Sequence, residues 1–359
     1  MIKKQDLMLK LMVGTVGLVV AGLVQAQSSV TLYGVVDGGL LYTSRTPDPT
    51  TGQNAGRQFS MIDSGSSPSQ FGMRGIEDLG DGLKAKFKLE SGFSVATGAY
   101  NDSNGNQFGR QAWIALQGKF GEVKAGLQFS PFFIAVYESD PRDASLFGSG
   151  VVTYIDNVVA TGILNPNAVS YTTPHIAGFE GSVLYALGGE PGNFQAGRQY
   201  SASLKYDNGT FMVNAAIYNG NSGGTGQTPV PTTVEFEGRT LGAYYKFDVL
   251  TAKVSFSNYK VAGAFDSNVY GGGLDYVVSS FLDINGGVWI TSDRNHTANH
   301  SVMGGLGAQY FLSKGTTLYG QVGVVNNHGA MDTGLSVNGA LYGVQGTTAG
   351  VDLGIRHVF

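Results

Sequence analysis

Four carboxylates, Glu138, Asp140, Asp143 and Asp156, fall within the stretch Ser130 to Asn167, and three lysines, Lys84, Lys86 and Lys88, stand at every second position upstream. Carboxylates facing amines across water make a field, and such a field sorts ions and polarises passing solutes. That is electrostatic work rather than bond chemistry. Residues that could break bonds are scattered. His296 and His300 have an i,i+4 spacing that on a helix would suit zinc, but Asn295, Thr297 and Asn299 around them read as a solvated loop. His175 follows Pro174 in a turn, and His357 belongs to an apolar stripe near a strand end. No serine has a histidine and an acid at readable positions. Gly271-Gly272-Gly273 lies inside strand alternation with no helix after it, so curvature or close packing explains it better than a phosphate does. No catalytic group, metal site or cofactor is expected.

The acidic stretch lacks period-2 alternation and also carries Pro131, Phe132, Phe133, Ile134, Val136 and Tyr137. Structureless loops beyond ~12–15 residues are uncommon, and this one is too apolar to remain solvated. It must pack against something. If the rest of the chain closes into a barrel, the place is inside, where the loop would narrow the lumen and line it with charge.

Composition favours such a barrel. The 359 residues carry a net charge of −4, no cysteine, 55 Gly, 18 Tyr and 20 Phe, and only 13% are charged. That charged share is about half the usual one and the glycine share about double. Mean hydropathy is zero. Beyond the N-terminus no apolar run approaches the ~18–20 residues of a membrane helix. A chain that is half apolar on every strand fits a transmembrane β-barrel. Mild acidity argues against a nucleic-acid partner. At the N-terminus, Lys3, Lys4 and Lys10, the apolar run Leu11 to Leu23 and Val24-Gln25-Ala26 read as a secretory signal cut after Ala26, leaving 27–359 as one barrel domain. Export without cysteine suits the Gram-negative envelope.

From Ser28 onward, segments of ~10 residues alternate apolar and polar. Val30, Leu32, Val36, Leu40 and Tyr42 share one face of the first, while Leu83, Ala85, Phe87 and Leu89 oppose Lys84, Lys86, Lys88 and Glu90 in the third. Short turns such as Asp78–Gly82, Lys119–Glu122, Asp207–Gly209 and Ser313–Thr316 alternate with long polar connectors: Ser44–Gly56, Thr97–Asn106, Ser130–Asn167, Asn219–Glu235, Ser292–His300 and Asn326–Gln345. That polarity marks an outer-membrane barrel with turns in the periplasm and loops outside. At roughly forty residues per hairpin, the mature length predicts about sixteen strands, too wide for side chains to fill. Tyr33, Tyr42, Phe71, Phe87, Tyr100, Trp113, Tyr245, Trp289, Tyr310 and Phe359 are expected mostly at strand ends or on lipid faces, with no lumen-facing aromatic row.

Several stretches resemble the general trimeric porins of β-proteobacteria, the Burkholderia, Comamonas and Neisseria kind. They are Ser29-Val30-Thr31-Leu32-Tyr33-Gly34, Phe71 to Gly80, Leu89-Glu90-Ser91-Gly92-Phe93, Phe108-Gly109-Arg110-Gln111-Ala112-Trp113 and Arg356-His357-Val358-Phe359. The resemblance spans the mature chain. It implies an all-β fold, a 16-stranded antiparallel barrel whose third extracellular loop, here 130–167, folds into the lumen. It implies a homotrimer in outer-membrane lipid and lipopolysaccharide, passing ions and small hydrophilic solutes passively. Phe359 is similar to the terminal aromatic read by the barrel-assembly machinery. The apolar first and last strands are the candidate trimer contact.

In such porins the loop acids face a ladder of arginines. The resemblance places this chain's ladder at Arg110, with Arg74 on the same face as Gln70, and finds substitutions at Gln70, Leu127 and Ser170. With Glu138, Asp140, Asp143 and Asp156 retained, the expectation is a pore less anion-selective than its relatives, or cation-selective. Lys84, Lys86 and Lys88 offset this if they sit at the same height. The alternative has some loop acids pairing with Arg142 or turning back to the wall. A solute-specific channel, a non-conducting adhesin-type barrel and an enzymatic barrel are the rival readings.

Overall fold

The computed structural model describes residues 29–158, 161–221 and 233–359. The expected signal segment and part of the Asn219–Glu235 connector lie outside them. Among the described residues the chain forms one closed antiparallel barrel. Its strands are β1 (Ser29–Pro47), β2 in two halves (Asn54–Asp63 and Gln70–Gly80), β3 (Leu83–Gly92), β4 (Gln111–Gly118), β5 (Gly121–Phe129), β6 (Leu164–Thr172), β7 (Phe179–Ala186) and β8 (Gln199–Asp207). They continue with β9 (Phe211–Gly220), β10 (Phe236–Phe247), β11 (Leu250–Val261), β12 (Phe265–Ser279), β13 (Leu282–Asp293), β14 (His300–Phe311), β15 (Thr316–His328) and β16 (Gly346–Val358). Both halves of β2 pair with β1, Thr43 opposite Gln58 and Val35 opposite Gln70, so they count as one strand of sixteen. The ring closes between β1 and β16, from Val35 opposite Val358 to Thr43 opposite Gly350. Gly34 and Phe359 exchange backbone hydrogen bonds of 3.0 and 3.1 Å at the seam.

Period-2 alternation decides which face meets lipid. Val30, Leu32 and Leu40 are 66, 63 and 66% exposed, whereas Asp37 and Leu41 on the opposite face of β1 are buried. Large apolar side chains left open in this way require a lipid surround. Turns at one rim are tight; the β2–β3 turn uses Asp81 and Gly82 at φ 52° and 82°. The other rim departs from expectation in three places. Strand β1 runs on to Pro47, so the first connector is short; Val261 to Phe265 is itself a tight turn; and Ala186 to Gln199 is a long connector that the composition did not mark.

Two segments turn inward besides the acidic loop. Between the halves of β2, Ser64 adopts φ 60°, and the Asp37 carboxylate accepts the Ser66 and Ser67 N–H groups at 3.2 and 2.8 Å and the Tyr319 hydroxyl at 2.6 Å. In the last connector, Thr333–Ser336 pairs with Ala340–Tyr342 as a small ribbon beneath the rim.

The stretch after Ser130 folds as two helices joined by an irregular segment, α1 (Pro131–Glu138) and α2 (Gly150–Val158). Ser130 caps α1, its Oγ accepting the Phe133 N–H at 3.0 Å, with Pro131 in the first turn. Phe132, Ala135 and Val136 point to the inner wall. There Phe132 meets Tyr154, Tyr218 and Tyr259 at ring distances of 6.0, 6.1 and 6.3 Å. Arg142 reaches the wall further round, its Nε donating to Asn285 at 3.0 Å and its Nη2 to Gln321. The loop meets the last connector through Gly148 N–H to Leu335 O at 2.7 Å and Val337 N–H to Leu146 O at 2.8 Å.

Replacing Phe132 by Ala opens a cavity in this aromatic cluster, a change that costs about 3–5 kcal/mol in buried settings. We expect a larger and noisier single-channel conductance and faster protease cleavage within 131–158. Wild-type conductance and cleavage would mean that the Arg142 hydrogen bonds hold the loop alone. A second prediction concerns Asp156 on α2, whose Oδ2 accepts the Thr333 hydroxyl at 3.0 Å while Oδ1 is buried without a partner. Burial and, secondarily, the Asp332 charge push its carboxyl up to about 8, and burial raises Asp332 as well. Between its ordinary value and about 8 the docked acid keeps a proton that the undocked acid loses, so docking weakens steadily as pH rises and has lost that support above 8. Hydrogen exchange at 333–342 should therefore accelerate from pH 6 to 9 beyond the intrinsic rate, and Asp156→Asn should remove the excess. An identical pH dependence in both proteins would refute this.

Candidate functional site: the constriction

The inner face of β2 to β5 carries the basic wall. Alternation places Lys84, Lys86, Lys88 and Glu90 on one face of β3, and pairing aligns Arg74 opposite Lys88. Glu90 is 1% exposed and sits among donors: Lys88 Nζ at 2.9 Å, Arg110 Nε at 3.1 Å and the Tyr33 hydroxyl at 2.8 Å. The Arg74 guanidinium lies 5.3 Å over the Tyr33 ring, and the Lys88 ammonium 5.4 Å from it. One step along, Glu122 pairs with Lys86 at 2.6 Å and Lys124 at 3.2 Å. Five cations thus share two carboxylates across these strands. Lys84 is exposed beside the tight turn, opposite Asp78, and so stands at the barrel mouth and not at the constriction.

The loop acids do not face this wall. Glu138 pairs with Lys205 of β8 at 2.8 Å, beside Glu180 at 3.3 Å from the same lysine. Asp143 pairs with Lys253 of β11 at 2.9 Å. Asp140 is buried and serves the backbone, accepting the N–H groups of Arg142, Ala144 and Gly150 at 2.8, 3.1 and 2.6 Å. Asp156 is held at Thr333. Glu138 and Asp143 thus turn back to the wall behind the loop, Asp140 stays within the loop beside Arg142, and Asp156 faces the last connector. The physical reason is that α1 uses its wall side for Phe132, Ala135 and Val136, and the acids after it follow the chain toward lysines of β8 and β11.

Two of the substituted ladder positions need correction or refinement. Leu127 pairs with Ala112 and shares the outward face of β5 with Val123 and Ala125, so it does not border the lumen. The inward residue is Gln128, which accepts the Ser170 hydroxyl at 2.6 Å. Ser170 does face inward, but it is 9% exposed and committed to that bond. Gln70 borders the passage, as do Lys88, Glu90 and Arg110, around a cavity of about 730 Å³. Its other side is apolar: Phe133, Ile134, Tyr137, Leu146 and Ile155.

Among the aromatics, Trp289 is a second correction. It is 2% exposed on the inner face of β13, packed where Gly150 and Gly271 leave room for its ring. Gly271 therefore serves close packing. Tyr218, Phe236 and Tyr259 are also inward, forming part of the loop's seat, and Tyr33 is inward at the basic wall. Strand parity could have revealed Lys124 and Lys205, since each continues a polar face; that Lys253 would meet Asp143, 110 positions away in sequence, had no local signal. His296 lies 3.4 Å from Asp293, and His300 stacks on His328 at 4.5 Å. Phe359 stays 54% exposed, with its ring against Gly34.

Comparison with known proteins agrees with this architecture. The family model described as Gram-negative porin matches residues 14–330. Outer membrane porin protein 32 of Delftia acidovorans is 30% identical, with 98% of this chain and all of that protein covered. A second outer membrane porin protein, from Bordetella pertussis, is also 30% identical, over 94% of this chain and 96% of its own. The solved anion-selective porin from Comamonas acidovorans superposes with a TM-score of 0.80 at 29% identity, covering 93% of this chain and all of that one. A sixteen-stranded barrel, an inward third loop and similarity over nearly the whole length converge: the chain belongs to the Gram-negative porin family.

Proposed function

We propose that this porin is a general diffusion channel of the outer membrane whose constriction favours anions. The observation that carries the reading is the separation of charge around the loop. The acids behind it lie beside Lys205, Lys253 and backbone N–H groups, while Arg74, Lys86, Lys88, Arg110 and Lys124 look across water with the carboxylates of Glu90, Glu122 and, next to Arg110, Asp102 among them, five cations to three acids. A positive excess in a low-dielectric narrowing raises the local concentration of anions. This reverses the selectivity expected from residue identities alone. The Comamonas relative named anion-selective supports the same sign. The family and its relatives speak for a channel rather than an enzyme.

In this reading the exposed apolar faces of β1 and β16, Val30, Leu32, Val36, Leu353 and Ile355, make the trimer contact, and the remaining outward faces meet lipid and lipopolysaccharide. The signal is cut after Ala26, and Phe359 at the closing seam presents the terminal aromatic to the assembly machinery. Small hydrophilic solutes and ions pass without a cofactor.

Reversal potential in a potassium chloride gradient across a planar bilayer tests the sign. Anion preference is expected, with conductance arriving in steps of three. The double change Arg74→Gln and Lys88→Gln leaves Glu90 bonded by Arg110 and Tyr33, and should lower the anion-to-cation permeability ratio about two- to fivefold in dilute salt. Cation preference in the wild type would overturn the reading.

A further inference from the structure

The face that α1 turns to the passage is not polar. Its wall side takes Phe132, Ala135 and Val136, and helical spacing sends Phe133, Ile134 and Tyr137 to the other side. Ile134 and Tyr137 are 44 and 49% exposed there, although the helix lies inside the barrel and away from lipid. Across the cavity stand Lys88, Arg110 and Gln70, with Glu90 buried between the two bases and Asp102, which accepts from Asn338, beside Arg110. Phe129 bridges the two sides: its ring is 5.4 Å from Phe133 and 6.0 Å from the Arg110 guanidinium. The narrowing is therefore two-sided, cationic on the wall and apolar on the loop.

A hydrophilic anion uses only half of such a site. It is drawn to the wall, but beside the loop it gives up hydration against side chains that return no hydrogen bond. A neutral apolar solute finds the loop but feels no field. An anion with an apolar body satisfies both sides in one orientation. We propose that the constriction selects monocarboxylates with an aromatic or branched apolar body over hydrophilic anions, the carboxylate following Lys88 and Arg110 while the body slides over Phe133, Ile134 and Tyr137. This rests on the anion-preferring reading above and names the solute class that the same site passes best.

The test uses the purified full-length porin in planar bilayers. Current carried by potassium chloride is recorded while benzoate, acetate or benzyl alcohol is added. Benzoate should interrupt the current at concentrations about tenfold lower than acetate, as expected if a ring face leaves water during transit, and benzyl alcohol should have no such effect. Ile134→Asn with Tyr137→Asn should weaken the benzoate effect, scored relative to each protein's own chloride current, about fivefold, while the reversal potential keeps its anion-preferring sign because no charge is changed. Because both side chains are exposed, the barrel should persist, and heat-modifiable migration on gels checks this; Ile134→Gln alone serves if the double change does not assemble. An anion-preferring reversal potential with equal effects of benzoate and acetate overturns this inference and leaves the channel reading standing. Equal effects of benzoate and benzyl alcohol overturn the role of charge. A cation-preferring reversal potential overturns the inference together with the reading beneath it.

Discussion

The buried guanidinium of Arg142 is the constraint on which the constriction depends. At 2% exposure it has left water, and burial pulls it down to about 10, still charged at neutral pH. Isolated, such a charge would cost several kcal/mol. Here Asn285, Gln321 and the carbonyls of Phe147 and Gly148 accept its hydrogen bonds, and Asp140 supplies the nearby opposite charge. These partners come from β13, β15 and the loop itself, so satisfying one side chain fixes where the loop crosses. Glycines make the crossing possible: a Cβ on Gly305 or Gly307 would stand 2.7 or 2.5 Å from the guanidinium. Once that crossing is set, α1 can bury only one face, and the other is left to the passage.

Electrostatics then follow from packing. The loop's acids are not eliminated: Glu138 and Asp143 sit beside Lys205 and Lys253, Asp140 is spent on backbone N–H groups and Asp156 is held by the Thr333 hydroxyl, and a close ion pair largely cancels at the distance of a passing ion. On the opposite wall Glu90 and Glu122 each serve two bases, which keeps four long side chains extended in a narrow range of positions. The carboxylates there act as fasteners for cations. Charge count along the sequence and charge presented to solute are different quantities, because the fold decides which charges see one another.

The barrel was legible in the chain because its signal is local. Lys84, Lys86 and Lys88 against Leu83, Ala85 and Phe87 state the inner and outer faces of β3 within six residues, and turn residues mark the rim. The inward loop was legible from a composition that neither alternates nor solvates. What failed was anything decided between distant strands. Leu127 misled because it was placed by resemblance to relatives, whereas the alternation of β5 itself puts it outward with Val123 and Ala125. Trp289 read as a girdle residue because an aromatic in a strand looks alike on either face. The destination of Glu138 and Asp143 depended on Lys205 and Lys253, and no spacing rule links residues 67 and 110 positions apart.

The inward segments also join one another. Leu146 N–H reaches Ser66 O at 3.2 Å, Val337 N–H reaches Leu146 O at 2.8 Å, and Asn101 Nδ2 reaches Asn338 Oδ1 at 3.2 Å. Three connectors and the inward break in β2 are tied into a collar beneath the outer rim. Connectors of this kind ordinarily vary freely, since nothing packs on them. In this porin an insertion at the base of one connector shifts its neighbours and, through Leu146, the wall of the passage. An insertion at a tip leaves these bonds untouched, whereas one at a stem has to move several segments together.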